Sequence, residues 1–452
     1  MEMSFPFQPL SHEQSLTFEG MLGLLRRQAT LFPDKRRGTN CSFPDMADVV
    51  LSGFSIFYLQ SPSFLAHQQQ MEIDHGQNNA RSLFGIEKIP TPNHVRSLLD
   101  GASPTLLHPV YQGIAESLYQ RGLLEKMRGF NRQMLIAMDG VHFHESDKVH
   151  CDQCSRKQMK NGDIKYFHSA VTPVIVSPHH KCAISLCPEF VAPQDGHQKQ
   201  DCEQAAAHRW LTQHGARYRS WEATLLGDDL YCHQPFCEKA QAEGYHFLLV
   251  CKPDSHKTLY EWLAGLEKSG WIQTKIVERK IGKRREIDTY RFANHLPLRD
   301  SEDALKVNWC EMTTTTPEGK VVYRNTFATD HPIHEHNVAD MVAAGRSRWK
   351  IENENNNTLK TKGYHFEHNF GHGKESLANL LASMNMLAFL FHTVLDWTCE
   401  VYAKLRAKLG ARKKFFEHVR TLTQYICFKN WAGLLHFMAE QLKVKIIIDP
   451  SG

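Results

Sequence analysis

Three short apolar runs between residues 133 and 191 predict β-strands in the first half of the chain. They are QMLIAM (133–138), HSAVTPVIVS (168–177) and CAISLCPEFV (182–191). Apolar runs of this length that are bounded by turn residues are typical of buried strands. Their connections suit an antiparallel meander, so we expect three neighbouring strands here.

Two helix–strand pairs follow the meander. DCEQAAAHRWLTQHG (201–215) and HQPFCEKAQAEG (233–244) have helical apolar spacing and end at glycine, whereas EATLLG (222–227) and YHFLLVCK (245–252) are apolar runs of strand length. Three strands, then helix, strand, helix and strand, predict an α/β core with a mixed sheet in the ribonuclease-H-like order.

The pattern changes after residue 254, where apolar and polar residues alternate in four short runs that predict antiparallel strands. These runs are WIQTKIVER (271–279), EIDTYRF (286–292), VNWCEMTTTT (307–316) and VVYRNTF (321–327). We interpret them as a β-rich insertion in the core.

Helical patterns occupy both ends of the chain, so the sequence predicts five regions. They are a mostly helical N-terminal region (1–130), the first part of the core (131–253), the β-rich insertion (254–335), the remainder of the core (336–400) and a C-terminal helical region (401–452).

Composition narrows the class of protein without naming a partner. The chain has 452 residues, 42% of them hydrophobic and 23% charged, which suits a globular protein, and the net charge of +4 neither requires nor excludes nucleic acid. The 12 cysteines do not form the pattern of a secreted disulfide scaffold, and the N-terminus lacks the features of a signal peptide. We therefore expect reduced thiols in a cytoplasmic protein. The apolar window 380–395 is shorter than a membrane span and predicts a buried core helix.

Two aspartates follow predicted strands, Asp139 after 133–138 and Asp228 after 222–227. Ligands of open α/β sheets bind beyond the carboxyl ends of strands, and two carboxylates meeting there would favour a divalent cation. Either aspartate alone is more typical of a turn than of a metal site, and only the pair with a third carboxylate favours a metal site. Asp229 is an alternative to Asp228.

A third carboxylate is expected in RWKIENENNNTLK (348–360). On a helix, Glu352 shares a face with Arg348 and Asn356, whereas Glu354 lies on the opposite side. Glu352 is therefore favoured as the third carboxylate, with Glu354 as the alternative. Four asparagines are unusual in an ordinary solvated helix.

With these residues the chain resembles the DDE transposases of bacterial insertion sequences, in the lineage marked by Tyr-x2-Arg-x3-Glu-x6-Lys. AMDG supplies Asp139, LLGDDLY supplies Asp228, and RWKIE supplies Arg348 and Glu352. The resemblance covers roughly residues 130 to 400. There are two departures: Gly345 occupies the position of the tyrosine, and Lys360 comes one residue late.

The resemblance implies a reaction and a set of partners. It implies that Asp139, Asp228 and Glu352 hold two Mg²⁺ ions, with Mn²⁺ as a substitute, for DNA cleavage and strand transfer. Its partners would be double-stranded DNA at the element ends and at the target, bound by a homodimer, with the region 1–130 as a candidate for end binding and no membrane. The location would be the bacterial cytoplasm, in association with the nucleoid.

The resemblance also implies DNA contacts for Arg348, Lys360 and Asn356, and it makes Trp309 a candidate for stacking on a flipped base. A core position for Trp309 is the alternative, because tryptophan is commonly buried. An inactive transposase-derived DNA-binding protein and a nuclease of the same fold without strand transfer are the rival functions. The complete triad favours an active enzyme.

Cys151 and Cys154 form half of a zinc-site pattern in HFHESDKVHCDQC (142–154). No matching pair follows at standard spacing, so we expect no zinc here and two free thiols on a hairpin. The three histidines of GYHFEHNFGHG (363–373) are interpreted as structural.

Overall fold

The computed structural model describes residues 16–36, 44–193, 203–282 and 284–445. The outer parts of the predicted terminal regions (1–15 and 446–452) and the first two residues of the helix predicted at 201–215 lie outside the described residues. The architecture is mixed α/β, as the sequence predicts, with many helices around a mixed sheet.

Within the described residues, six α-helices precede the first strand. They are α1 (Phe18–Ala29), α2 (Met46–Tyr58), α3 (Phe64–Glu72), α4 (Asp74–Phe84), α5 (Pro92–Leu99) and α6 (His108–Gln120). Side chains cap several of these helices; Thr91, for example, accepts a hydrogen bond from the backbone of His94 ahead of Pro92. A capping threonine followed by proline is a strong signal for a helix start.

The next segment alternates strands and helices. Its elements are β1 (Met134–Ala137), β2 (Gly140–Ser146), β3 (Ser155–Gln158), β4 (Ile164–Val171), β5 (Val174–Val176), β6 (Ile184–Ser185), β7 (Glu189–Phe190), α7 (Glu203–Tyr218), β8 (Ala223–Gly227), α8 (Gln234–Ala242) and β9 (His246–Val250). β8 and β9 run parallel to β1, whereas β5 is antiparallel to β1 and β6 is antiparallel to β5.

The meander is more divided than the sequence predicts. The run 168–177 is not one strand but the end of β4 and all of β5, separated at Pro173, and the run 182–191 divides into β6 and β7 around Pro188. Proline cannot donate to a ladder, so each run changes partner at that point. β4 and β7 join β2 and β3 in a second, smaller sheet.

The insertion contains one helix and four long strands. They are α9 (Lys257–Lys268), β10 (Gln273–Ile281), β11 (Arg284–Pro297), β12 (Lys306–Thr315) and β13 (Val321–Thr329). β13 pairs antiparallel with β9, so these strands extend the core sheet, which has nine strands in the order β10-β11-β12-β13-β9-β8-β1-β5-β6.

Helices complete the described chain. They are α10 (Val338–Arg346), a π-helical segment (Ile351–Asn356), α11 (Asn357–Thr361), α12 (Leu377–Thr398), α13 (Glu400–Leu409), α14 (Arg412–Tyr425) and α15 (Trp431–Gln441). α12 is the one helix among the described residues that is long and apolar enough to cross a membrane, and its most apolar window is entirely buried. It packs against α2 as the core helix that the sequence predicts.

Candidate active site

Two of the predicted carboxylates stand at the ends of neighbouring strands. Asp228 follows β8 directly and Asp139 lies two residues after β1, and these strands are paired in parallel with Ala137 opposite Leu226. Because parallel strands end at the same edge of a sheet, both aspartates are delivered to one region.

The third predicted carboxylate reaches the same region through an arginine. Nη2 of Arg348 lies 2.7 Å from Oε1 of Glu352, and Nη1 of the same guanidinium lies 4.0 Å from Oδ1 of Asp139. Arg348 therefore holds a carboxylate from the sheet and a carboxylate from the helical segment together. Its side chain is only 20% exposed, which limits screening of these charges by water.

The asparagines of this segment bind one another and the sheet. Nδ2 of Asn356 donates to Oδ2 of Asp139 over 3.2 Å, and its Oδ1 accepts from Thr172 over 3.2 Å and from Asn355 over 2.9 Å. Oδ1 of Asn355 accepts from Ser185 of β6 over 2.8 Å. These buried amides dock the segment onto the sheet, which gives two of the four asparagines a physical role.

The two alternative carboxylates point elsewhere. Asp229 accepts hydrogen bonds from the backbone of Lys252 over 2.6 Å and from Ser255 over 2.5 Å, and lies 3.3 Å from Nε2 of His256. It is therefore engaged by the loop after β9. Glu354 lines a separate cavity beside Arg412.

A fourth carboxylate, Glu203, belongs to this group and was missed by the sequence analysis. It lies in the first turn of α7, where the hydroxyl of Tyr231 donates to it over 2.6 Å and the backbone of Gly140 donates to it as well. A Cβ on Gly140 would overlap the Glu203 carboxylate, so glycine permits this close approach. The sequence signal that could have indicated Glu203 is its position as an acidic residue in the first turn of the helix that follows the predicted meander.

Electrostatics shows that these groups act on one another. The pKa of Asp139 is raised to about 7, by burial first and then by the negative charges of Glu203, Glu352 and Asp228, while Arg348 opposes the rise. Burial also raises the pKa of Glu203, against the hydrogen bond from Tyr231. The site therefore concentrates carboxylates beside a single arginine, an arrangement that a divalent cation would relieve.

Lys360 and the tryptophan Trp309, both predicted to contact DNA, occupy other positions. Nζ of Lys360 lies 2.7 Å from a carboxylate oxygen of Glu367. Trp309 is 2% exposed and its indole nitrogen donates to the hydroxyl of Tyr260 over 3.3 Å, so its ring packs in the core. Trp349, which follows Arg348, is 46% exposed.

The structure supplies the half of the Cys-x2-Cys pattern that the sequence analysis did not find. Cys151 and Cys154 meet His168 of β4 and His372 of the loop between α11 and α12, with one ligand atom from each residue within 4.8 Å of the others. No second pair was found at standard spacing because one histidine comes from a neighbouring strand and the other from a segment far along the chain. Spacing rules cover only local pairs.

Comparisons with known proteins give a distant structural likeness and no match in sequence. No protein-family model matches the sequence, and no curated protein sequence matches it significantly. Among solved structures, the chain is similar to a piggyBac transposase in a synaptic complex with hairpin DNA. That match has a TM-score of 0.40 and 9% sequence identity, and it covers 98% of this chain and 85% of the other. So distant a likeness carries no inference about function.

Proposed function

We propose that this protein is a DDE-type transposase, which cuts the ends of a DNA element and joins them to target DNA. The observation that carries the proposal is the meeting of Asp139 and Glu352 at Arg348, with Asp228 at the end of the neighbouring strand. These carboxylates come from two strands and one helical segment, in the chain order of the family that the sequence resembles.

The topology around β1 supports the same proposal. β1 is flanked by the antiparallel β5 on one side and by the parallel β8 on the other, with β6 and β9 outside them. This is the strand arrangement expected of a ribonuclease-H-like core, and the carboxylates lie at the ends of its central strands. The strands β10–β13 correspond to the β-rich insertion of the proposed lineage.

The site residues fit a divalent cation. Asp139, Asp228 and Glu352 would hold two Mg²⁺ ions, or Mn²⁺ in their place, because these ions prefer carboxylate oxygens. The pKa of Asp139 is raised in part by repulsion from the neighbouring carboxylates, and a bound cation would offset this repulsion. When bound, the ions would activate water or a 3′-hydroxyl and stabilise the leaving oxygen.

The remaining side chains would position the reactants. Asn356 orients Asp139 through its hydrogen bond, and Arg348 supplies positive charge where a phosphate would approach. Trp349 is exposed beside Arg348, so it is better placed than the buried Trp309 to stack on a base. Lys360 would contact DNA only after leaving Glu367.

The proposal includes the partners implied by the resemblance. Double-stranded DNA of the element ends and of the target would be the substrate, and a homodimer would bring two ends together. The helices within residues 1–130 would bind end sequences. The element would be a bacterial insertion sequence, with its transposase acting in the cytoplasm at the nucleoid.

Cleavage of DNA that flanks the gene tests the proposal directly. Purified protein, a plasmid carrying both flanks and Mg²⁺ should yield nicked ends and products joined to a second plasmid. Asp139→Ala and Asp228→Ala should abolish both products, because each removes a metal ligand. Asp300→Ala is the matched control, since Asp300 is an exposed aspartate in the loop between β11 and β12.

The outcomes separate the rival functions. Cutting without joining would identify a nuclease, and binding of the flanks without any metal-dependent cutting would identify an inactive DNA-binding protein. Full cleavage by Asp139→Ala would remove the proposed site.

A further inference from the structure

Four side chains form a compact donor cluster where the smaller sheet meets the loop before α12. The Sγ atoms of Cys151 and Cys154 are 3.9 Å apart. Nε2 of His168 lies 3.4 Å from the first sulfur and 3.3 Å from the second, and Nε2 of His372 lies 3.4 Å from Sγ of Cys154. We propose that these four residues bind one Zn²⁺ ion in a closed structural site.

The distances suit tetrahedral coordination. With Zn–S near 2.3 Å and Zn–N near 2.0–2.1 Å, a tetrahedron places its sulfurs about 3.8 Å apart and sulfur and nitrogen about 3.6 Å apart. The observed separations of 3.9 Å and 3.3–3.4 Å lie close to these edges. Both histidines present the same ring nitrogen, Nε2, to the sulfurs. Two thiolates and two imidazoles are a ligand set that zinc prefers.

The local backbone is shaped for metal binding. Cys151 and Cys154 lie on a turn before β3, in which the backbone N–H of Cys154 donates to the carbonyl of Cys151 over 3.1 Å. The N–H of Cys151 points back at Sγ of Cys154 over 3.4 Å. An N–H directed at a sulfur stabilises a thiolate, which is the form that binds zinc.

The burial of the four side chains is typical of a structural zinc site and not of a catalytic one. Cys154, His168 and His372 are buried, and Cys151 is half-buried. The ring of Phe143 stacks on His168, and the ring of His144 lies against His372 while its own Nε2 contacts the carbonyl of Val149. Four protein ligands leave no open position for water or substrate.

A zinc ion here would join two of the three chain segments that carry the proposed catalytic carboxylates, those of Asp139 and Glu352. β2 begins directly after Asp139 and pairs with β4, which carries His168. His372 lies in the loop that follows the segment of Glu352, 218 residues from Cys154. The ion would therefore hold the sheet edge and the glutamate segment together from outside the active site. The proposal does not depend on transposase activity.

Metal analysis of the full-length protein tests the proposal without DNA. Protein dialysed against zinc-free buffer should retain about one zinc per chain, as a closed four-ligand site would. Cys154→Ser and His372→Gln should lose most of it. Cys427→Ser and His150→Gln are matched controls that should retain it, because Cys427 is exposed outside the cluster and the ring of His150 stacks on Tyr166.

Two further measurements on the wild-type protein test the zinc site even if a variant fails to fold. Cobalt added to zinc-free wild-type protein should give the intense visible absorption of a tetrahedral thiolate site. Titration of denatured, non-reduced protein should find Cys151 and Cys154 as thiols. The proposal is overturned if wild-type protein retains no zinc, if the controls lose as much zinc as the cluster variants, or if the two cysteines form a disulfide.

Discussion

The side-chain amide of Asn356 donates a hydrogen bond to Oδ2 of Asp139 over 3.2 Å, across 217 positions of sequence. This bond fastens the segment that carries Glu352 to the strand end that carries Asp139. It engages Oδ2, while Oδ1 lies 4.0 Å from Arg348. The asparagine-rich segment is therefore part of the site's framework.

Loss of this bond should weaken the fold. Asn356→Ala removes the side-chain hydrogen bonds that Asn356 makes with Asp139, Thr172 and Asn355, so we expect the free energy of unfolding to fall by about 1–3 kcal/mol in urea titrations. Asn353→Ala is the control, because the side chain of Asn353 is exposed and donates to the carbonyl of Trp349 within its own segment. Equal effects of the two substitutions would contradict the assigned role of Asn356.

The raised pKa of Asp139 predicts that the free energy of unfolding falls as pH rises towards 7. Its pKa is about 7 in the folded protein against an ordinary value of 3.8, so the associated stability is present below about pH 4 and is lost as pH rises through 7. Without divalent ions, Asp139→Asn should therefore unfold at higher temperature than wild type above pH 7. The difference should shrink towards pH 4, with a slope of up to about 1.4 kcal/mol per pH unit.

Magnesium provides the control for that comparison. Mg²⁺ should raise the melting temperature of the wild type at pH 8 and have little effect on Asp139→Asn, because a cation stabilises only ionised ligands. Parallel pH profiles of the two proteins would show that Asp139 does not titrate in this range.

The two glutamates of the segment should differ sharply. Glu352→Gln should lower metal-dependent cleavage by about 10²-fold or more, on the scale of removing one electrostatic catalytic group. Glu354→Gln should leave cleavage within a few-fold of wild type, because Glu354 faces a different cavity. Rates measured at saturating DNA decide between them, and the reverse pattern would make Glu354 the third carboxylate.

Glu203 should affect the Mg²⁺ concentration that the proposed metal site requires. Glu203→Gln removes the carboxylate that contributes most to the charge repulsion on Asp139, so we expect the pKa of Asp139 to fall. The Mg²⁺ concentration for half-maximal cleavage should change by about 10–100-fold, as with other residues that orient metal ligands. Tyr231→Phe, which removes only the hydroxyl bonded to Glu203, should have a smaller effect in the same titration.

Gly345 should not tolerate a side chain. A Cβ there would lie 2.7 Å from the ring of Phe327, where α10 packs on β13. Gly345→Ala should therefore destabilise the protein by about 1–3 kcal/mol in urea titrations, as overpacking does. Gly265→Ala is a matched control in helix α9, since its Cβ would meet no atom. The same close packing explains why no tyrosine stands at position 345.

Features encoded locally could be predicted from the sequence. Apolar runs predicted the strands β1, β8 and β9, and helix geometry predicted that Arg348 and Glu352 would meet. The exchange of partners at Pro173 could not be predicted, because the second sheet depends on pairing between β2 and β4. Glu203 was missed, and His372 was not assigned to the Cys151–Cys154 pair, for a related reason: each becomes part of a cluster only through contacts made by distant segments.

The π-helical segment Ile351–Asn356 lies between Glu352 and Lys360, where the spacing departs by one residue from the signature that the sequence resembles. Hydrogen bonds from i to i+5 enclose one more residue than the i to i+4 bonds of an α-helix. The wider turn thus accommodates one residue more than the Glu-x6-Lys spacing between Glu352 and Lys360, and the helix continues into α11. A sequence alignment would place a one-residue insertion here and shift every later position by one. The helical backbone accommodates the same residue by a local widening of one turn.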